Sequence, residues 1–302
     1  MNDDSLYTKH IPVLFDETIQ GLNLSVGKVV VDGTLGGGGH AVAMARIVQE
    51  SGRVIGIDRD VKALERVEKL LEDLNEPINV KTYFANYSDF DAVLEREGIG
   101  GVDGILLDLG LSSDQLADEE RGFSFDSDGD LDLRFDVSEG VPAYRLLNDW
   151  REDKIADVIY KYGEERGSRR IARAIVERRA SNPIRKASEL ADICRRCDPV
   201  PPWKRRIDSA TRTFQAMRIA VNDELGSLER FLTKCSDYLN VGGRVAIISF
   251  HSLEDRIVKN AFRESETLNV LTRKPIVASD EEVERNPRAR SAKLRIAERI
   301  NF

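Results

Sequence analysis

Three aspartates in the first third of the chain each close an apolar run. Asp32 follows Val29-Val30-Val31, Asp58 follows Arg53-Val54-Ile55-Gly56-Ile57, and Asp108 follows Ile105-Leu106-Leu107. Behind Asp32 come Gly33-Thr34-Leu35-Gly36-Gly37-Gly38-Gly39, five glycines in seven residues, and then the helix-compatible His40-Ala41-Val42-Ala43-Met44-Ala45. Strand, glycine turn and helix is the layout that lets backbone approach a nucleotide, because a Cβ there would meet the ligand. Gly36 to Ala41 satisfies G-x-G-x-x-A, and Asp58 stands twenty residues after Gly38, the literal dinucleotide fingerprint. S-adenosylmethionine sites use the same geometry, with an acidic residue at the tip of the second strand on the ribose hydroxyls. The loop fits either cofactor. A carboxylate at Asp32 repels a pyrophosphate but suits the α-ammonium of methionine, which tips the balance to S-adenosylmethionine, with Asp32, Gly38 and Asp58 as contacts.

Further candidates lie where later strands end. Asp108-Leu109-Gly110-Leu111-Ser112-Ser113 leaves the fourth strand through a flexible glycine, so Asp108 is read as a cofactor or substrate contact. Tyr87 follows the third strand, where an adenine ring would lie. Ser249-Phe250-His251-Ser252-Leu253-Glu254-Asp255-Arg256 ends a strand and opens a helix. Ser252 can cap that helix with Asp255 three residues on, and His251 is a proton carrier, a base contact or a packed turn histidine. No G-x-S-x-G elbow supports a serine hydrolase. Cys194-Arg195-Arg196-Cys197 has no second pair, and Asp126–Asp132 lacks the Glu of a calcium loop, so no metal is expected.

These residues need a scaffold that brings strand ends together. Short strands at Lys28–Asp32, Arg53–Asp58, Asn79–Phe84 and Gly104–Leu109 alternate with helices at 41–50, 60–74 and 88–97, and an amphipathic segment, Val13–Leu22, precedes them. This is an α/β chain with a doubly wound, Rossmann-like parallel sheet, whose ligands lie beyond the carboxyl ends of the strands. The alternation then stops for about a hundred residues of helix and loop, including 151–162, 165–180 and 187–197. It resumes with a long helix at Thr213–Leu239, a strand at Gly243–Phe250, a helix at Ser252–Arg263 and an edge-like strand at Lys293–Arg299. Residues 1–113 and 211–302 therefore form one discontinuous cofactor-binding domain, and 114–210 a helical insertion.

With 302 residues, either one large domain or two modest ones can bury a core. No apolar run has transmembrane length, Met1-Asn2-Asp3-Asp4 is not a signal peptide, and three cysteines build no disulfide framework. A cytoplasmic protein without membrane contact is expected. The net charge of −8 argues against a general polyanion binder, but its distribution does not. Residues 114–157 hold fourteen acidic and five basic side chains, whereas 158–212 hold seven and fifteen. Arg166, Arg169, Arg170, Arg173, Arg178 and Arg179 fall at helical spacing, and Lys204-Arg205-Arg206 follow the proline turn Pro199-Val200-Pro201-Pro202. This face either pairs with the acidic half or meets RNA phosphate, with Arg169, Arg170, Arg173, Lys204, Arg205 and Arg206 as contacts.

His10–Leu14, Asp32–His40, Leu107–Ser113, Glu120–Phe125, Tyr162–Arg166, Ala210–Ala216, Asn222–Leu225, Ile248–Arg256 and Asn286–Ser291 together resemble the successive signatures of the RsmH (MraW) methyltransferases. The resemblance spans essentially the whole chain. It implies a class I methyltransferase fold and methylation of the N4 amine of one cytosine in the decoding region of 16S ribosomal RNA, within the small subunit, by S-adenosylmethionine. It also implies cofactor contacts at Gly38, Gly39, His40, Asp58, Tyr87, Asp108 and Gln115. The chain departs from the family wording at Tyr87, where Phe is usual, and at Asp114, where Pro is common. Ile207-Asp208-Ser209-Ala210 stands where Lys-His-Pro-Ala is common. An exocyclic amine must be held in line with the methyl donor and offered hydrogen-bond acceptors. The carbonyls of Leu109 or Gly110 with Ser112 or Ser113 are the expected acceptors, alongside Asp108, and His251 is a second-side contact. An NAD-linked oxidoreductase and a non-catalytic RNA-binding protein are the rival readings.

Overall fold

The computed structural model describes residues 12–125, 127–205 and 207–301; His10, Asp126 and Arg206 lie outside the described residues. The chain divides into two compact units, one running to Ser112 and resuming at Leu225, the other Ser113–Glu224.

In chain order the first unit opens with helix α1 (Phe15–Leu22), then β1 (Val29–Asp32), α2 (Gly39–Val48), β2 (Arg53–Asp58), α3 (Val61–Leu74), β3 (Val80–Phe84), α4 (Phe90–Arg96) and β4 (Val102–Asp108). The second unit holds α5 (Ser113–Ala117), α6 (Ala143–Asp149), α7 (Glu152–Gly163), α8 (Ser168–Ser181), α9 (Ala187–Cys197) and α10 (Thr211–Asn222). The chain then completes the first unit through α11 (Glu224–Tyr238), β5 (Leu239–Ser249), α12 (Ser252–Glu264), β6 (Leu268–Val270), α13 (Asp280–Arg285) and β7 (Lys293–Arg299).

The seven strands form one sheet in the order β3-β2-β1-β4-β5-β7-β6, parallel except for β7, which runs antiparallel to both of its neighbours. The order reverses between β1 and β4, the switch point at which a doubly wound sheet binds its ligand. Its apolar runs are explained by cover on both faces. One face packs Ile55, Ile105 and Leu107 against Phe90, Phe231 and Phe262; the other packs Val30, Val54 and Leu106 against Leu14, Met44 and Val48. Each fully buried side chain of this size contributes about 1.5–3 kcal/mol relative to exposure.

Three expectations need correction. The single helix expected over Thr213–Leu239 is two, because Asp223 adopts a left-handed conformation (φ 50°). Asn222 explains the break: its amide donates to the carbonyls of Leu133 (2.7 Å) and Arg218 (2.9 Å), and its Oδ1 accepts from the Phe135 N–H (2.8 Å). β5 begins at Leu239 and passes through a bulge at Gly242 (φ +80°), a pair of glycines that reads as loop. β7 is not an edge strand, since β6 covers its outer side. Its alternating pattern misleads because Arg295 is itself buried, paired with Asp255 at 2.6 Å.

The second unit is helical, built around Ile155, Ile159, Ile171, Ile175, Leu190 and Met217. It extends beyond residue 210 because α10 packs on α7 so closely that a Cβ on Gly163 would stand 2.4 Å from the Arg212 carbonyl. The acidic tract is a packed loop whose charges are answered within this unit: Asp130 pairs with Arg185, and Asp132 with Arg134 at 2.6 Å. Among the described residues no helix is long and apolar enough to cross a membrane.

Candidate active site

The carboxyl ends of β1, β2 and β4 gather the three aspartates. Parallel pairing sets Asp32 opposite Gly56 and Leu106, and the Asp108 N–H donates to Thr34 Oγ1 at 2.6 Å, so the first and fourth strand ends are clamped together. Asp32 is buried and accepts from the Thr34 N–H at 3.2 Å. Asp58 accepts from the Gly36 N–H and the Asp60 N–H, both at 2.8 Å. Burial pushes all three carboxyls up from an ordinary 3.8, Asp32 to about 7, Asp58 to about 6 and Asp108 to about 7. At Asp32 the Thr34 N–H opposes that rise, while the charges of Asp108 and Asp58 add to it. At Asp108 the Gly110 N–H and the Arg288 guanidinium oppose it and Glu254 adds to it. Oδ1 of Asp108 is buried and has no hydrogen-bond partner among the described residues. Such an acceptor costs about 1–3 kcal/mol unless something donates to it. A cation with hydroxyl and amine donors fits this edge; a pyrophosphate does not.

The glycine loop is shaped by protein packing as much as by any ligand. Gly38 takes φ +78°, and a Cβ on it would meet Val67 Cγ2 at 2.9 Å; one on Gly39 would meet Pro12 Cγ at 2.6 Å. At Gly36 (φ +51°) the nearest atom would be the Thr34 carbonyl at 3.8 Å, so the open side of the loop is there. His40, in the first turn of α2, is buried and stacks on Phe15 with ring centroids 5.6 Å apart. Tyr87 opens a short turn after β3 and sets its ring edge-on to Phe231 at 6.0 Å. Gly110 is a packing glycine and not a free hinge, because a Cβ would lie 2.7 Å from the Phe250 ring.

His251, not Ser252, caps α12. Its Nδ1 accepts from the Glu254 N–H at 3.3 Å, Nε2 lies 3.2 Å from Glu254 Oε1, and Oε2 of Glu254 accepts from the Phe250 N–H at 2.9 Å. Both ring nitrogens therefore face Glu254, and Asp255 turns away to Lys293 and Arg295. Ser112 is buried at the end of this unit, and its carbonyl accepts from Arg288 Nη2 at 3.1 Å. Sequence reasoning missed Arg288, Glu254 and Thr34 as site residues. Their signal is position within the Asn286–Ser291, Ile248–Arg256 and Asp32–His40 motifs.

Ser113 and the buried Gln115 stand in α5, at the start of the second unit. There the expected basic residues divide. Arg169, Arg170 and Arg173 are exposed on α8, where Arg173 lies 3.9 Å from Glu152, and Lys204 is exposed. Arg205 is bound internally: Nε donates to the Val200 carbonyl at 2.8 Å, Nη2 to the Arg195 carbonyl at 3.2 Å, and Asp198 lies 3.2 Å away.

A doubly wound sheet with a glycine loop, an acid at the second strand's tip and buried carboxylates at the switch point defines an α/β enzyme for a cationic adenosyl-type cofactor. Residues 7–300 match the MraW methylase family, and the chain belongs to it. A relative from Rhodopirellula baltica, called ribosomal RNA small subunit methyltransferase H, is 49% identical over 97% of this chain and 92% of its own. Proteins of the same name from Desulforapulum autotrophicum and Synechocystis sp. are 46% and 47% identical, over 97% and 96% of this chain and 99% and 93% of theirs.

Proposed function

We propose that the chain transfers a methyl group from S-adenosylmethionine to the N4 amine of a single cytosine in 16S ribosomal RNA, in the cytoplasm, with the assembled small subunit as substrate. The observation that carries the cofactor half of this reading is the gathering of the Asp32, Asp58 and Asp108 carboxyls at one sheet edge, where the loop after β1 is bonded to Asp58 and the end of β4 to Thr34. Bound there, S-adenosylmethionine supplies a sulfonium-activated methyl group. Asp58 accepts from the ribose hydroxyls while keeping its bond to Gly36, Asp32 faces the ammonium, and Tyr87 borders the adenine. Gly38 and Gly39 shape the loop, and His40 holds α2 on α1. Gln115 belongs to the same set by the family motif. An NAD site would place two phosphates among these carboxylates, which the charges oppose.

Cytosine's amine is a weak nucleophile because its lone pair is shared with the ring. Acceptors must draw on its N–H bonds so that the nitrogen can pyramidalise, and the base must be held about 3–3.5 Å from the methyl carbon. Asp108 Oδ1 and the Leu109 and Gly110 carbonyls supply acceptors, with Ser112 at the end of the same segment; Ser113, next in the chain, is the further acceptor that the family motif offers. His251 acts as a positioning residue, holding the turn after β5 through Glu254. Full-chain RNA methyltransferase relatives support the substrate class. The experiment is transfer of labelled methyl to small ribosomal subunits followed by mass spectrometry of the nucleosides. N4-methylated cytidine at one position is expected; methyl on a ring carbon or ribose, or none, rules the reading out.

A further inference from the structure

Among the described residues no large apolar side chain is more exposed than Trp203, 81% accessible. The sequence presents it deliberately. Pro201 and Pro202 fix the backbone before it, and the turn Pro202–Lys204 closes with the Lys204 N–H on the Pro201 carbonyl (2.9 Å) and the Arg205 N–H on the Pro202 carbonyl (3.2 Å). The three contacts of Arg205 then pin the turn to the end of α9. An indole in water forgoes the burial its area would gain elsewhere, so a rigid turn holding it outward asks for an occupant.

The surroundings say what that occupant is. A cleft of ≈ 730 Å³ opens beside the turn, lined by Arg195, Arg196, Pro202, Arg205 and Ile207. The carboxylates in it, Asp192 and Asp208, are both answered by Arg195, at 3.6 and 2.9 Å. Arg196 and Lys204 are exposed and, among the described residues, have no ion-pair partner. Arg170 of α8 stands near the end of α9, where its charge acts on the Cys197 thiol and, with Arg205, on Asp198. An exposed aromatic face flanked by uncompensated cations is the arrangement that binds unstacked nucleotides: the ring takes a base and the cations take phosphates. Duplex RNA hides its base faces and would leave the indole unused.

We propose that this face of the second unit binds a single-stranded RNA segment, with one unpaired base stacked on Trp203 and the flanking phosphates on Arg196 and Lys204. The proposal rests on the RNA methyltransferase reading and names where that RNA is gripped. The chain has two tryptophans, so Trp150→Phe leaves Trp203 as the sole tryptophan, whose emission is read at an excitation wavelength that tyrosine does not absorb. Titration with a single-stranded oligoribonucleotide of about ten residues should quench its emission saturably and less at high salt, while the matching duplex quenches it less. In the otherwise unaltered chain, Trp203→Ala should weaken binding of that oligoribonucleotide about tenfold and Trp203→Phe by less, with S-adenosylmethionine affinity unchanged in both. The side chain is exposed, so neither variant is expected to unfold. Unaltered emission at saturating oligoribonucleotide, equal affinity of Trp203→Ala and the parent, no single-stranded binding, or stronger quenching by duplex each overturns the proposal. Methyl transfer by the parent chain is scored separately, so a chain that transfers but leaves Trp203 unquenched loses only this inference.

Discussion

The backbone N–H of Gly36 donates to Asp58 Oδ2 at 2.8 Å, which makes the glycine loop after β1 and the tip of β2 one piece. Asp58 thus shapes the loop with one oxygen and fixes the start of α3 with the other, through the Asp60 N–H. Asp58→Asn keeps the side chain's size but removes its charge and turns an NH2 toward one of the two backbone N–H groups that the carboxylate accepts from. Affinity for S-adenosylmethionine should fall roughly ten- to hundredfold, the effect of one charge-assisted hydrogen bond of about 1.5–3 kcal/mol. Calorimetry that finds parental affinity in a folded variant would remove Asp58 from the cofactor site.

The three carboxyls make both stability and binding depend on pH. Their folded-state values of about 7, 6 and 7 lie above the ordinary 3.8, so the native chain holds more protons than the unfolded chain between those limits. Their contribution to stability is complete below about pH 4 and is lost as pH rises through about 7. The cofactor-free chain should therefore lose Tm between pH 5 and about 8 from these groups, while the Tm gained on adding S-adenosylmethionine grows, since its cationic groups favour the ionised cluster. Differential scanning fluorimetry with and without cofactor across that range checks both slopes; a cofactor shift that shrinks with rising pH would contradict the arrangement.

Gly38 is required by the fold before any ligand binds. A side chain there meets the left-handed conformation at about 1–2 kcal/mol and then Val67 at 2.9 Å. Gly38→Ala should lower unfolding stability by about 2 kcal/mol or more in denaturant titrations without cofactor, and Gly38→Val by more. A parental midpoint for Gly38→Ala would show that the loop yields freely.

How much of this was legible in the sequence depends on whether the signal was local. β2 was readable to the residue at Arg53–Asp58, because an apolar run bounded by charge leaves little choice. The breaks at Asp223 and around Gly242 were not, since they depend on Asn222 reaching residues 133 and 135 and on a bulge against β4. At the site, the types and order of Asp32, Asp58 and Asp108 pointed to one edge. The orphaned Asp108 oxygen, the Arg288 contact and the inward turn of His251 are tertiary facts with no local signature.

Arg288 links the last motif of the chain to the fourth strand's exit. It holds the Ser112 carbonyl at 3.1 Å, and its charge opposes the rise at Asp108. Arg288→Gln should slow methyl transfer about ten- to hundredfold with little change in cofactor affinity, because it loosens the segment that presents acceptors to the base. The pH profile of the variant should also move upward, as Asp108 loses a favourable charge. Single-turnover kinetics over pH 5.5–8.5 read both effects, and an unshifted profile with a parental rate would leave Arg288 a packing residue.

The basic face of the second unit separates into residues exposed to solvent and residues whose guanidinium groups are bonded into the fold. Arg169, Arg170 and Arg173 are exposed on α8, whereas Arg178 donates to the Asn182 carbonyl at 2.7 Å and Arg179 to the Leu147 carbonyl. Replacing Arg169, Arg170 and Arg173 by Glu should leave the melting temperature within a few degrees of the parent. RNA affinity should fall steeply, and the dependence of log K on log salt should lose a slope of about 2–3 if each arginine meets one phosphate. Arg205→Glu should behave in the opposite way, lowering stability first because its guanidinium bonds the Val200 and Arg195 carbonyls. Filter binding at several salt concentrations, paired with thermal melts, distinguishes the two classes. Equal loss of stability in both variants would mean that the α8 arginines hold the helix in place and do not meet RNA.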